Sequence, residues 1–282
     1  MRSIFSLCLF GVVLTSFCSV NANAEAPLVI IDAESWLNTE NQHSFQSQIA
    51  RQVLNEFKGQ FEISIMPRNR ARQTLERHPS ACSPWMLKNK AREQLYAYTL
   101  PYMMESSLKL VLSKDSAWGK LLATQQNQEP VSLFNLLVQD TAPVLGIESG
   151  RSYGDTTDAL LKQLENHHSI YVRTSTADSL APLKPMLHHG FIDVLIEYDK
   201  INEELKDKFY VLEYQETEPF QLVYFACSKT EQVKPQIQLL NDAIRALSVN
   251  ESYINKILSH LPEKDRAKAR AYWQLALDNT RP

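Results

Sequence analysis

Glycine is scarce in this chain, with seven among 282 residues, and cysteine is scarcer, with four. Neither charge sign dominates: 29 Lys and Arg stand against 32 Asp and Glu, for a net charge of −3. A nucleic-acid partner calls for a basic face, and nothing in this balance supplies one. Beyond the first 20 residues no apolar run approaches the ~20 residues that span a bilayer. No repeat and no low-complexity tract breaks the pattern of an ordinary globular protein. Chemistry-bearing motifs are thin as well. Gly146-Ile147-Glu148-Ser149-Gly150 has Glu where a nucleophile elbow has serine. His167-His168 and His188-His189 are adjacent pairs whose rings diverge instead of converging on a metal. The sequence therefore gives no reason to expect a cofactor, a metal site or a catalytic constellation.

What is present begins with a leader. Arg2 supplies a positive start, residues 4–20 are almost wholly apolar, and Ala22-Asn23-Ala24 is a small-x-small cleavage site before Glu25. Phe17 before Cys18 stands where lipidation needs a small residue. A cleaved signal peptide over 1–24 is expected, with the mature product exported to the periplasm as a soluble monomer. Cys8 and Cys18 leave with the leader, so Cys82 and Cys227 remain, and an oxidising compartment favours a disulfide between them.

The rest alternates strand and helix. Residues 27–32 read as a buried strand. Phe45, Ile49, Val53 and Phe57 recur every four residues as one helix face closed by Gly59. Residues 61–66 alternate as a strand up to Pro67, and a very basic short helix over 69–77 follows. Cys82 begins the next extended piece. The rhythm repeats with a strand over 142–147, a helix carrying Leu160, Leu161 and Leu164, and a short strand over 169–172. A helix over 177–189 comes next, although Pro182 and Pro185 disfavour a regular one. Residues 191–198 form a strand apolar on both faces, as a central parallel strand should be. A strand over 220–227 precedes a helical tail, striped by Ile237, Leu240, Ile244 and Leu247, then by Tyr253, Ile254, Ile257 and Leu258. Such alternation is that of α/β units.

Arg92 lies just upstream of Tyr96-Ala97-Tyr98-Thr99-Leu100-Pro101-Tyr102, an aromatic strand that runs on into residues 108–114. This stretch resembles that of family 3 of the bacterial extracellular solute-binding proteins, the type 2 periplasmic fold. Three other segments resemble the family in order. They are the turn Gly150-Arg151-Ser152-Tyr153-Gly154 before a helix, Gly190-Phe191-Ile192-Asp193 at the start of a core strand, and Cys227-Ser228-Lys229 before the tail helices. The resemblance implies a two-lobed α/β protein, each lobe a mixed sheet flanked by helices. Lobe 1 is expected over 25–110 and 220–282 and lobe 2 over 111–219, with crossing strands near 108–113 and 220–227.

It also implies a ligand between the lobes. Arg92 is the expected carboxylate binder, since guanidinium is a rigid, always-charged fork of donors. The amides of Arg151, Ser152 and Tyr153, at a helix start, form the expected second-lobe anion grip. Trp36 and Trp85 are the expected cleft walls. The sequence departs from the amino-acid binders at Tyr198, where they carry an Asp for the ligand ammonium. Glu197 and Asp199 flank it, but strand alternation directs them to the other face. Arg68, Arg70, Arg72 and Arg77 could help bind an anion, but a solvated helix face is the expected reading. The expected ligand is thus a small anion of carboxylate type without a strong ammonium site. The expected partner is a membrane permease of an ABC-type importer or a membrane sensor protein. An enzyme using Glu148 or Glu197 as general acid is disfavoured, because no paired acid and base is visible.

Overall fold

The computed structural model describes residues 27–33, 35–38, 44–124, 129–174, 183–198 and 207–278. The expected leader, its cleavage site and Pro182 lie outside the described residues.

Two mixed sheets form the molecule. The first takes β1 (Leu28–Asp32), β2 (Phe61–Ile65) and β3 (Ala81–Leu87), with β4 (Ala97–Tyr98), β5 (Met103–Ser106) and β11 (Phe220–Cys227). Its order is β2-β1-β3-β11-β4, and β5 also pairs with β11. The second takes β6 (Leu108–Ser113), β7 (Leu145–Glu148), β8 (Ile170–Arg173), β9 (Val194–Tyr198) and β10 (Phe209–Leu212), in the order β10-β6-β9-β7-β8. β9 is central and parallel to β7, which explains its apolar residues on both faces.

Apolar helix faces cover both sheets. On one side of the first sheet, α1 (Phe45–Glu56), α8 (Lys234–Ser248), α9 (Glu251–Ser259) and α10 (Arg266–Asp278) bury Ile49, Val53, Leu240, Ile244, Tyr253 and Trp273. α2 (Arg68–Arg77) covers the other side through Ala71 and Leu75. In the second lobe, α5 (Leu133–Leu137) and α6 (Asp155–Gln163) pack on one face. α7 (Leu183–His188) packs through Leu183 and Leu187 on the other. Pro185 fits α7 because it lies in the first turn, where its missing N–H has no intrahelical acceptor. Gly190 then ends the segment at φ +74°, and the Phe191 amide reaches back to the Met186 carbonyl.

The chain passes between lobes at Ser107. β5 pairs with β11 up to Ser106, and Leu108 already pairs with Tyr198. The expected crossing strands are therefore not shared: residues 108–113 belong to the second sheet and residues 220–227 to the first. The first crossing thus precedes the boundary expected after residue 110. The return runs through residues 213–219, where the Glu216 carboxylate accepts from the amides of Leu133 and Phe134 and so ties the connection to α5.

Cys82 and Cys227 face one another across the antiparallel pair of β3 and β11 and are joined by a disulfide. Next to it the pairing slips. Ala226 pairs with Ser83 and Tyr224 with Met86, which leaves Pro84 and Trp85 together opposite Phe225. This is a bulge, a position that tolerates a proline within a sheet.

Candidate functional site

The bulge in β3 aims a side chain at the interlobe space. Trp85 sits at φ +58°, a left-handed conformation that is an outlier for a bulky residue. Its amide donates to the Tyr102 hydroxyl (3.1 Å), while the Tyr253 hydroxyl donates to the Tyr102 carbonyl. Trp36 is brought alongside by the buried Asp32 at the end of β1. That carboxylate accepts from the amides of Trp36 (3.1 Å) and Leu37 (2.7 Å). The two indoles meet edge to face, with centroids 4.9 Å apart and planes at 80°. Both line a cavity of about 280 Å³ between the lobes, together with Arg92, Arg151, Ser152 and Tyr198.

Arg92 lies in α3 (Lys90–Leu95), whose N-cap is Asn89: the Asn89 Oδ1 accepts from the Arg92 amide at 2.7 Å. The guanidinium donates to the Leu87 carbonyl (2.8 Å) and, across the cleft, to the Gly150 carbonyl (2.9 Å). Arg72 makes a similar crossing to the Ser149 carbonyl (3.3 Å) and also bonds Asn69. Neither arginine forms an ion pair among the described residues. Burial lowers the pKa of each, and neighbouring guanidinium groups lower it further. Both remain cationic, so this part of the cleft carries two cations that no described carboxylate pairs directly, although Glu148 and Asp158 act on them from a distance.

Most of the other charges lining the cavity are matched; Lys184 is the exception among the described residues. Arg151 forms a two-pronged pair with Glu197 (3.1 and 3.2 Å) and lies over the Tyr153 ring. Burial alone would lower the Arg151 pKa, but the Glu197 charge raises it above its ordinary value. Arg68 reaches from α2 to Glu148 at the end of β7 (3.2 Å), a carboxylate with no exposed side-chain surface. Glu105 faces His260 Nε2 at 2.8 Å and accepts from Gln46. Tyr198, half-buried, has its phenol pKa pushed up by desolvation and by nearby Glu105.

Three expectations about this region change. Glu197 lines the cavity, although strand alternation directs it away. Its carboxylate curls back to accept from the Tyr198 amide (2.8 Å), and the Arg151 pair draws it to the strand end. Two of the three helix-start amides have internal partners: Arg151 N–H donates to the Glu148 carbonyl and Tyr153 N–H to Asp158 (2.7 Å). Asp158, in the first turn of α6, therefore fills the place of an external anion there. Tyr153 itself is core, with its hydroxyl accepting from the Glu148 amide. Finally, the basic face of α2 is divided. Ala71 and Leu75 fix the buried stripe, which puts Arg68 and Arg72 at the cavity and leaves Arg70 and Arg77 exposed. Helical spacing from those two apolar residues was the available signal, and it was masked by the density of charge.

A second interlobe clasp lies beside Arg92. Asn89 Nδ2 donates to Ser152 Oγ (3.1 Å) and Asp158 (2.8 Å), and the Lys90 amide donates to Asp155 (3.1 Å). Among the described residues no group of His, Cys, Asp and Glu is arranged to hold a metal ion. No helix among them is long and apolar enough to cross a membrane.

No protein-family model and no curated protein matches the sequence. Solved structures do. One is the arginine-, lysine-, histidine-binding protein ArtJ from the thermophilic bacterium Geobacillus stearothermophilus, with TM-score 0.61 and 14% identity. The match covers 86% of this chain and 100% of that one. An ancestral arginine-binding protein bound to arginine gives TM-score 0.59 and 13% identity, covering 84% and 98%. A histidine kinase sensor domain with similarity to periplasmic binding proteins gives TM-score 0.62 and 10% identity, covering 84% and 97%. At such identities the likeness is one of fold: two mixed sheets, flanked by helices and joined by two crossings, in the type 2 periplasmic-binding arrangement.

Proposed function

We propose that this chain is a periplasmic solute-binding protein that closes its lobes on a small carboxylate anion and delivers it to an ABC-type importer. The observation that carries this reading is the pair Arg72 and Arg92. Both are half-buried at the cleft, and neither is ion-paired among the described residues. A desolvated guanidinium whose bonds go to neutral carbonyls favours an anion that offers charge-assisted bonds. Trp36, Trp85, Ser152 and Tyr198 would shape the rest of the pocket, with Arg151 held in place by Glu197. The proteins sharing this fold are binders, which supports the reading and gives no reason to assign an enzyme activity. A second reading, a ligand-sensing partner of a membrane signalling protein, draws on the sensor-domain likeness. It uses the same cleft and differs in the docking surface.

A thermal-shift screen of metabolite acids on the purified protein tests this. Ligand at about a hundred times its dissociation constant stabilises the folded state by roughly 2.7 kcal/mol, enough to move the melting temperature. Truncating one partner of a buried charge pair costs on the order of 2–5 kcal/mol. Arg92→Ala is therefore expected to weaken binding of the selected acid at least about tenfold. Arg92→Lys should weaken it too, since the fork is lost. Full affinity in a well-folded Arg92→Ala protein would remove Arg92 from the site.

A further inference from the structure

The cavity combines two features that together narrow its ligand, and we infer that it takes an aromatic acid without an amino group, seating the ring in the Trp36–Trp85 corner and the carboxylate at Arg72 and Arg92. This rests on the anion-binding reading and goes further, to the ligand's body and to what the ligand lacks.

The ring half of the argument starts from strain. A tryptophan in left-handed backbone is uncommon, and it is kept here by the Pro84–Trp85 bulge and the Tyr102 hydroxyl. The result is an indole at the cleft beside Trp36, at the right angle that aromatic edge-to-face contacts prefer. Ala71, Leu75 and Met86 add apolar surface elsewhere in the cavity lining. A flat apolar group can complete the corner, whereas an aliphatic polar chain would leave its own polar groups without partners there.

The missing amine follows from the carboxylates. A buried ammonium needs a carboxylate, and both that line the cavity already have partners. Glu197 is held by Arg151 and the Tyr198 amide, and Glu105 by His260 and Gln46. Glu148, behind them, is held by Arg68. An ammonium would meet the unpaired charge of Arg72 and Arg92 with no free anion to offset it.

Three probes separate these terms: 3-phenylpropionate, L-phenylalanine, which adds the α-ammonium, and propionate, which lacks the ring. Calorimetry and tryptophan fluorescence on the purified protein should show 3-phenylpropionate binding at least about tenfold tighter than either. Trp85→Leu should lose about tenfold for 3-phenylpropionate and clearly less for propionate, which does not reach the corner. Trp36→Leu repeats the test should the first variant melt abnormally. Propionate binding as tightly as the ring acid overturns the inference and leaves the anion reading standing. Phenylalanine binding as tightly overturns the exclusion of the amine. Silence from 3-phenylpropionate at millimolar concentration also overturns the inference. The anion reading falls separately, if no acid in the wider screen depends on Arg92.

Discussion

Gly150 is where the first lobe's arginines grasp the second. Its carbonyl accepts from Arg92, and a Cβ placed on it would lie 2.2 Å from the Arg72 guanidinium. Its φ of +72° is also a conformation that favours glycine. Gly150→Ala is thus expected to displace Arg72 and weaken ligand binding by about tenfold, with strain on the order of 1 kcal/mol. Calorimetry and thermal melting check this, and unchanged affinity would mean that the turn adjusts freely. At this scale the sequence was partly readable. The family resemblance placed Arg92, Trp36 and Trp85 at the cleft, and all three line the cavity. Arg72 was obscured by the charges around it, and the inward turn of Glu197 depends on a contact with Arg151, far away in sequence. No local pattern encodes a partner of that kind.

Among the elements, β3 has two tasks within seven residues: Cys82 fastens it to β11, and the bulge after Ser83 presents Trp85. The disulfide closes a separation of 145 residues, for which the chain-entropy argument gives about 5 kcal/mol as an upper bound. Reduction should lower the melting temperature, and the shift should vanish in a Cys82→Ala/Cys227→Ala protein. Intact-mass analysis after alkylation without reductant should find neither thiol labelled. Long periodic elements such as α1 and α8 were legible because their buried stripes repeat over several turns. The strand β10 and the short helices α4 (Ala117–Ala123) and α5 were not legible, since four to seven residues hold too little periodicity to register. Two of the three helix-start amides differ from the expectation for another reason. A turn before a helix signals an anion site only while its amides are open, and Asp158 supplies the anion from within.

Across the whole molecule, the lobes are held together by direct contacts as well as by any ligand. Arg68 to Glu148, Arg72 to Ser149, Arg92 to Gly150 and Asn89 to Asp158 all cross the cleft. Two lobes joined by two crossings are suited to hinge motion. Each crossing contact biases that equilibrium toward closure, because it is made in the closed arrangement and replaced by water in an open one. The Arg68–Glu148 pair has the most leverage: its side chains are 18% and 0% exposed, so its charge-assisted bonds escape most solvent screening. Such bonds are worth about 1.5–3 kcal/mol. Glu148→Gln keeps the shape of the side chain and removes its charge, so it should shift the ligand-free protein toward the open form by about tenfold or more. X-ray scattering should then give a larger radius of gyration for the variant without ligand and recover the wild-type value at saturating ligand. Apparent affinity should fall in proportion to the closed fraction lost. An unchanged scattering profile, with unchanged affinity, would show that the hinge, and not the crossing pair, sets the resting position of the lobes.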